Sequence, residues 1–598
     1  MKTRFIRERV FEAGYALLTT LVFAGISIVI LATTLNWTSS SSRVTERNNS
    51  YNRAVNAAEA DVESVIARMH HDWLNKSFDP NFLTPYRLTV ATTYMPSGWP
   101  LDYRFTDTNG IADRTTVVSG SQSVSTNIDP QLPGLYGMTI PCQVASLARH
   151  VGTSVFDAAA GVQQNFQLVA IPIFQFEAFY SLDMEINPGP VMQITGKVHG
   201  NADMYLAPQA GLEFVDAVET VGQVHYNRMT NDPAFGSGKV MPVFDLAGKG
   251  IDNPLEGAGA LILPIGTNNA PTEVVKILDH PPLGEDPLSP LGAERFYNKV
   301  DIIITTDQFG QVSVKPGRWD PLDPPLNGDI TNTTPPSFSF ITTSNVFRDQ
   351  RELKDVQVTE FDVGAFNRWL TNTGPNSGFA LNNKKKLTYT NANLNSVYIE
   401  DLRSGSSSLL TGVRVTDGQT LPDDGLTIAT ARPLYVMGHY NAPTPGSPNT
   451  SNTKPASLIG DSVTVLSGGW QDANSWSANC MSRTALNDTV NAAFLAGIVQ
   501  TTNVGGIKYY SGGLENFPRF LENWSGKTFT YNGSMVVMFP SRYATNWWVG
   551  PSSTTYYQAP GRNWAFDKNF LSLMKLPPCT PQARELKRGQ WQTIAAAQ

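Results

Sequence analysis

Twenty-three consecutive residues without a charge, 13–35 (AGYALLTTLVFAGISIVILATTL), constrain this chain more than any other feature. At 1.5 Å of rise per residue, about 20 apolar residues cross the hydrocarbon core of a bilayer, so the run predicts a membrane-spanning helix. On its N-terminal side Lys2, Arg4, Arg7 and Arg9 outweigh Glu8 and Glu12. That bias predicts a cytoplasmic leader over 1–14 and an extracytoplasmic remainder. No small-x-small site follows a short apolar core, so a retained anchor fits better than a removed signal peptide or a buried core helix.

The helical pattern resumes beyond the polar stretch 36–51. Val55, Ala58, Val62, Val65 and Met69 recur at steps of three and four, which places a narrow apolar stripe on one side of a helix. Arg53, Glu59, Asp61 and Glu63 leave the other sides charged. One long helix over 15–75, in lipid at one end and docked on a head at the other, accounts for both signals.

The chain as a whole has the composition of a turn-rich β protein. Only 16% of the residues are charged, against roughly 25% in ordinary soluble domains. The chain carries 48 Gly and 40 Pro in 598 residues, enough length for a core and more than one domain. Net charge is −7 with no basic block, which argues against nucleic-acid partners. Cys142, Cys480 and Cys579 are too few for a disulfide-dense scaffold; spacing leaves open one bridge with an odd thiol, or none.

Gly14-Tyr15-Ala16-Leu17-Leu18, the apolar run and Ala57-Ala58-Glu59-Ala60-Asp61 resemble the N-terminal region of type IV pilus minor pilins of the PilX-like group. The resemblance implies cleavage after Gly14 by a prepilin peptidase and methylation of Tyr15. It also implies a helix, from Thr19 through Val55, Ala58, Val62, Val65 and Met69, that joins other pilin-like subunits and the inner-membrane assembly machinery. Two positions depart from the major-pilin pattern. Ala13 stands where Lys or Arg is usual, and Thr19 stands where Glu is usual, at the fifth position after the junction. A carboxylate in lipid needs a partner such as a neighbouring N-terminal amine. Its replacement points to a tip, initiating or peripheral subunit.

The head reads as short strands. Residues 76–185 form a mixed β-rich part, with runs at 86–93 and 166–176 and a strand over 167–181 interrupted by Pro172. Gly196-Lys197-Val198-His199-Gly200-Asn201 returns 26 residues later as Gly222-Gln223-Val224-His225-Tyr226-Asn227, and Gly438-His439-Tyr440-Asn441 is a later echo. A period in the twenties predicts coils of a small parallel β-helix over 186–230. Residues 231–430 read as a Pro/Gly-rich inserted lobe, with a strand pair at 298–306 and 311–315, a Pro-rich loop at 320–336, a short helix at 363–370 and strands at 397–401 and 412–416. Coils resume over 431–598, at 457–466, 491–499 and 528–539, under an aromatic cap.

Segments 425–430, 433–436, 456–461, 510–526, 531–534, 562–567 and 576–578 also resemble large PilX-like pilus-assembly proteins. Cys579 stands where that pattern has Gly, so the resemblance makes it the odd thiol and leaves Cys142 and Cys480 as the candidate pair.

Chemistry-bearing candidates read more simply as architecture. His199, His225 and His439 could stack as a metal ladder, but each recurs with its turn and lacks a local Cys or carboxylate set. His70 and His71 are helix neighbours that point apart. Gly236-Ser237-Gly238-Lys239 has Pro233 and Val240 where a phosphate loop needs Gly and Ser or Thr. No G-x-S-x-G elbow occurs. Asp461, Asp472 and Glu515 are the nearest approach to a glycosidase carboxylate pair, with no spacing that sets their separation. The aromatic block from Phe517 to Trp564 suits capping, with sugar or protein contact as the alternative.

The expectation is therefore an α+β chain: a long N-terminal transmembrane helix, then a β-rich head containing a short interrupted parallel β-helix. Its expected role is a noncatalytic minor pilin-like subunit without cofactors, at the bacterial inner membrane or on a cell-surface pilus, with a surface ligand for the head. A glycan- or protein-binding surface adhesin and a glycan-active β-helix hydrolase or lyase are the alternatives.

Overall fold

A computed structural model describes residues 9–87, 103–151, 158–246, 248–266, 268–317, 339–370 and 394–595. Lys2, Arg4, Arg7, residues 88–93 of the 86–93 run, and the 320–336 loop lie outside them.

Helix α1 is continuous from Arg9 to Leu74, 66 residues, or about 100 Å at 1.5 Å per residue. Residues 15–49 are exposed along their whole length. That portion holds a window of mean hydropathy 2.3 and is long and apolar enough to cross a membrane. The second half is seated. Ala54, Ala57, Ala58, Val62, Val65, Ile66, Met69 and Trp73 are buried and Val55 is half-buried.

The seat is an antiparallel sheet of Tyr136–His150, Ala159–Pro172 and Gln582–Ile594, flanked by short strands that pair with the first. Strand residues alternate faces. Ile140, Cys142, Val144, Ala148, Val162, Phe166, Leu168 and Ala170 face α1, while Val169 and Ile171 join a second core on the far side.

The rest of the head is a large, mostly parallel β region. Its first strands fall into register at an offset of 20 residues. Met184 pairs with Met204 and Met204 with Val224. Ile194 pairs with Phe214, and Val198 with Val218. The 26-residue period is thus corrected. His199 pairs with Glu219, and His225 pairs with Tyr205 in a different sheet. The Val-His echo falls on different faces of successive turns. The true repeat is carried by apolar identity at Met184/Met204, Met192/Leu212 and Val198/Val218.

A twelve-stranded sheet organises the whole. The chain enters it in the middle, at Ala178–Tyr180, and proceeds outward through Val198–Gly200 and Val218–Thr220 to Leu255–Glu256. It then crosses to the opposite end. From there it returns through Ile302–Thr306, Ser396–Asp401, Leu426–Ala429, Ala456–Gly460 and Asp488–Ala496 to Thr528–Val537, which docks on Ala178–Tyr180. The described strands within 231–430 pair into the same sheets as those before and after them. The expected strand pair is present as Ile302–Thr306 and Val312–Pro316, antiparallel, and the expected helix as Val363–Leu370.

One in-register ladder runs through the interior: Ile302, Val397, Ile428, Leu458, Phe494, Met535, Ala178, Val198 and Val218. All are buried in one cluster. The neighbouring ladder of Ile303, Tyr398, Ala429, Ile459, Leu495, Val536 and Phe179 faces outward. It is covered by Leu261, Leu263, Val274–Leu278 and Phe296. Tyr398 fixes that cover by donating its hydroxyl to the Leu278 carbonyl at 2.7 Å. Asn441, Asn491 and Asn532 form a polar ladder beside the apolar one. Asn441 Nδ2 donates to the Asn491 carbonyl at 2.8 Å, and Asn532 Nδ2 to Asn491 Oδ1 at 2.7 Å.

Candidate assembly site at the base of the head

The exposed half of α1 solves its polar problem internally. Thr19, Thr20, Thr33 and Thr34 donate their hydroxyls to carbonyls one turn back; Thr19 reaches Tyr15 O at 2.8 Å. Unlike a carboxylate, Thr19 then needs no partner from another chain. Gly14 lies within α1, and Tyr15 is 71% exposed at the start of the apolar face.

The helix end is locked by charges drawn from three distant parts of the chain. Trp73 donates its indole N–H to the Val169 carbonyl at 3.3 Å. Arg584, from the last strand, lies over the Trp73 ring at 4.0 Å and also donates to the Trp73 carbonyl. Lys76 and Lys299 both pair with Glu294, which is buried in the covering segment. Burial alone would raise the Glu294 carboxyl, but Lys299 and Lys76 hold it below its ordinary range. Burial lowers Arg584 to about 10, partly offset by Glu294. Nearly three turns back along α1, Arg588 pairs with Glu63 at 2.7 Å. Asp61, on the seated face, accepts from Thr115 Oγ1 at 2.9 Å, and burial raises its carboxyl. The helix, exposed over 15–49, thus ends in a socket of packed aromatics and paired charges.

The expected stripe residues Ala58, Val62, Val65 and Met69 come together on this seat, with Val55 at its rim. Sequence reasoning missed the lock. Lys76, the Glu294–Lys299 pair and Arg584 are far apart in the chain and share no pattern; only Trp73, in step beyond Met69, carried a signal.

Other candidates go elsewhere. Cys142 and Cys480 are free thiols, which corrects the expected pair. Cys142 lies under α1, with Sγ 3.6 Å from Ile140 O; Cys480 lies 3.6 Å from Ser552 O in the C-terminal cap. Cys579 takes φ +60°, the left-handed region that favours the Gly expected there. The three histidines do not meet. His199 Nδ1 lies 2.6 Å from Glu219, His225 is 3.2 Å from Asp203, and His439 is 2.6 Å from Asp488. Asp461 accepts from the backbone of 542–544, Asp472 pairs with Arg414, and Glu515 bonds Asn187 and Tyr510. Each acid serves a different turn. In the aromatic block Phe520, Trp524, Phe529, Tyr531 and Tyr557 are buried and interlocked, while Trp547 and Trp548 are half-buried. The block's buried charges are partnered: Arg519 with Glu352 at 2.8 Å, Glu522 with Ser467, and Arg562 with the Glu515 carbonyl.

No family model and no curated protein matches the chain. Among solved structures, it is similar to the competence-associated pilin ComZ from Thermus thermophilus, with a TM-score of 0.25 and 10% identity. The similarity covers 91% of this chain and 97% of that one, a likeness too distant to fix an architecture.

Proposed function

We propose that this chain is a noncatalytic, membrane-anchored minor pilin-like subunit that acts in assembly, or at the tip, of a type IV pilus-like filament. The carrying observation is the division of α1: an exposed apolar half and a half clamped beneath the head by Trp73, Glu294 and Arg584. An apolar helix with one free end buries itself in lipid or among similar helices. Processing after Gly14 with methylation of Tyr15 belongs to this reading, as does a place in the inner membrane before assembly and on the cell surface after it. Thr19, internally bonded, supports an end position over a mid-filament one. The 20-residue register supports reading the first coils as a short, interrupted parallel β-helix that presents the head as a rigid spacer and contact surface.

Photo-crosslinking residues placed at Leu21 and Ile28 in the native membrane test the proposal. Adducts with other small proteins carrying an N-terminal apolar helix are expected. Adducts with lipid alone, in cells that assemble filaments, would contradict it.

A further inference from the structure

The two faces of the parallel stack close differently where its arms meet. On one face the join is a continuous sheet, Met535–Val537 pairing with Ala178–Tyr180. On the other, Met184–Ile186 ends one sheet and Arg519–Phe520 ends another, and the two strands do not pair. The 3-10 turn Leu514–Asn516 fills part of that gap. Beside it lies a cavity of about 10 Å³ lined by Tyr180, Glu185, Arg351, Ser511, Asn516 and Arg519, room for one water.

The bonds that cross this gap centre on two buried carboxylates. Glu185, 5% exposed, belongs to the outgoing arm. Its Oε2 accepts from Thr501 Oγ1 and from Ser511 Oγ (2.7 Å), while its Oε1 has no hydrogen-bond partner. Glu515, from the returning arm, accepts from Asn187 N at 3.2 Å and Tyr510 OH at 3.1 Å. Asn187 Nδ2 also donates to Tyr510 OH.

The surrounding charges are largely committed elsewhere. Arg228 pairs with Asp232 at 2.7 Å and covers the Tyr510 ring. Arg519 pairs with Glu352. Arg351 donates from Nε to Asn546 O, and Arg562 donates to Glu515 O and Asn516 Oδ1. Asp183 precedes Glu185, Tyr205 pairs beside it, and Tyr180 lies on the adjoining strand. His225 is turned to Asp203.

We propose that this gap is a proton-operated joint: closed while Glu185 and Glu515 carry protons, and opened on this face, about the intact pairing of the other, when they ionise. Burial pushes Glu185 up to about 7, its bonds to Thr501 and Ser511 opposing the shift, and burial also raises Glu515. A carboxyl raised in the closed state binds its proton more tightly there than in the open state. Closure is therefore strongest below the ordinary value of 4.5 and weakens as pH rises to about 7.

Hydrogen exchange on the full chain in detergent tests the joint, with rates corrected for intrinsic pH dependence. Between about pH 5.5 and pH 7.5, protection of 184–187 and 501–516 is expected to fall about tenfold relative to 488–496 and 528–537. Glu185→Gln is expected to remove most of that difference. Seam peptides that track 528–537 across this range in the wild type would overturn the proposal without any variant. A Glu185→Gln chain with the wild-type pH dependence would overturn it equally.

Discussion

Glu294 illustrates how much of this molecule rests on single buried charges. It holds Lys76 and Lys299 where α1 enters the head. Removing one partner of a buried pair leaves an uncompensated charge, so Glu294→Gln is expected to destabilise the seat by about 3 kcal/mol. Urea unfolding followed by Trp fluorescence, with the chain in micelles, measures this. Because Glu294 is held below its ordinary value of 4.5, its contribution is present above about pH 4.5 and is lost as pH falls through the folded value. Glu177 has the opposite sign. It accepts from Thr195 N and Gly196 N, and burial pushes it up to about 7. Its ionisation weakens the fold as pH rises from 4.5 to about 7. Glu177→Gln is expected to be near neutral at pH 5 and stabilising by about 1–3 kcal/mol at pH 8, read from paired denaturation curves. At this scale the sequence was partly legible. Cys579 stood out because the resemblance has Gly there, and its φ of +60° lies in the region that favours Gly. Glu294 and Arg584 did not stand out, because Lys76 and Trp73 lie in a remote segment and no local periodicity reports a long-range contact.

Among the elements, α1 was the most legible, since an uncharged run and a stepped stripe both report helical spacing directly. The short parallel strands of 184–225 were legible as a repeat but misread as to period. His and Asn are chemically conspicuous, so the Val-His-x-Asn echo drew the eye. Register is set instead by interchangeable apolar residues, Met184 over Met204 and Val198 over Val218. This gives a direct test. Deleting 201–220 removes one turn of register and is expected to leave a folded head, whereas deleting 197–222 shifts every subsequent side chain and is expected to give an aggregated or degraded chain. Protease resistance of the expressed protein distinguishes the two. Within the interior ladder Phe494 is fully buried between Leu458 and Met535. Phe494→Ala is expected to cost about 3–5 kcal/mol by the same urea measurement.

The whole molecule is tied together by segments that return from far along the chain. Thr528–Val537 closes on Ala178–Tyr180, and Gln582–Ile594 completes the sheet on which α1 sits. That return was invisible in the sequence, because strand order in a sheet leaves no trace in composition or local pattern. It also joins α1 to the stack, since Arg584 contacts Trp73 on one side and pairs with Ile262 of the covering segment on the other. Truncation after residue 581 is expected to leave the parallel region resistant to trypsin while exposing Arg68 and Lys76 to cleavage, visible as release of the helix. The central claim is that α1 serves as a processed assembly helix, and mass spectrometry of the mature N-terminus from the native membrane tests it most directly. A chain beginning at a methylated Tyr15 is the predicted result; a chain beginning at Met1, or beyond Leu35, would contradict it.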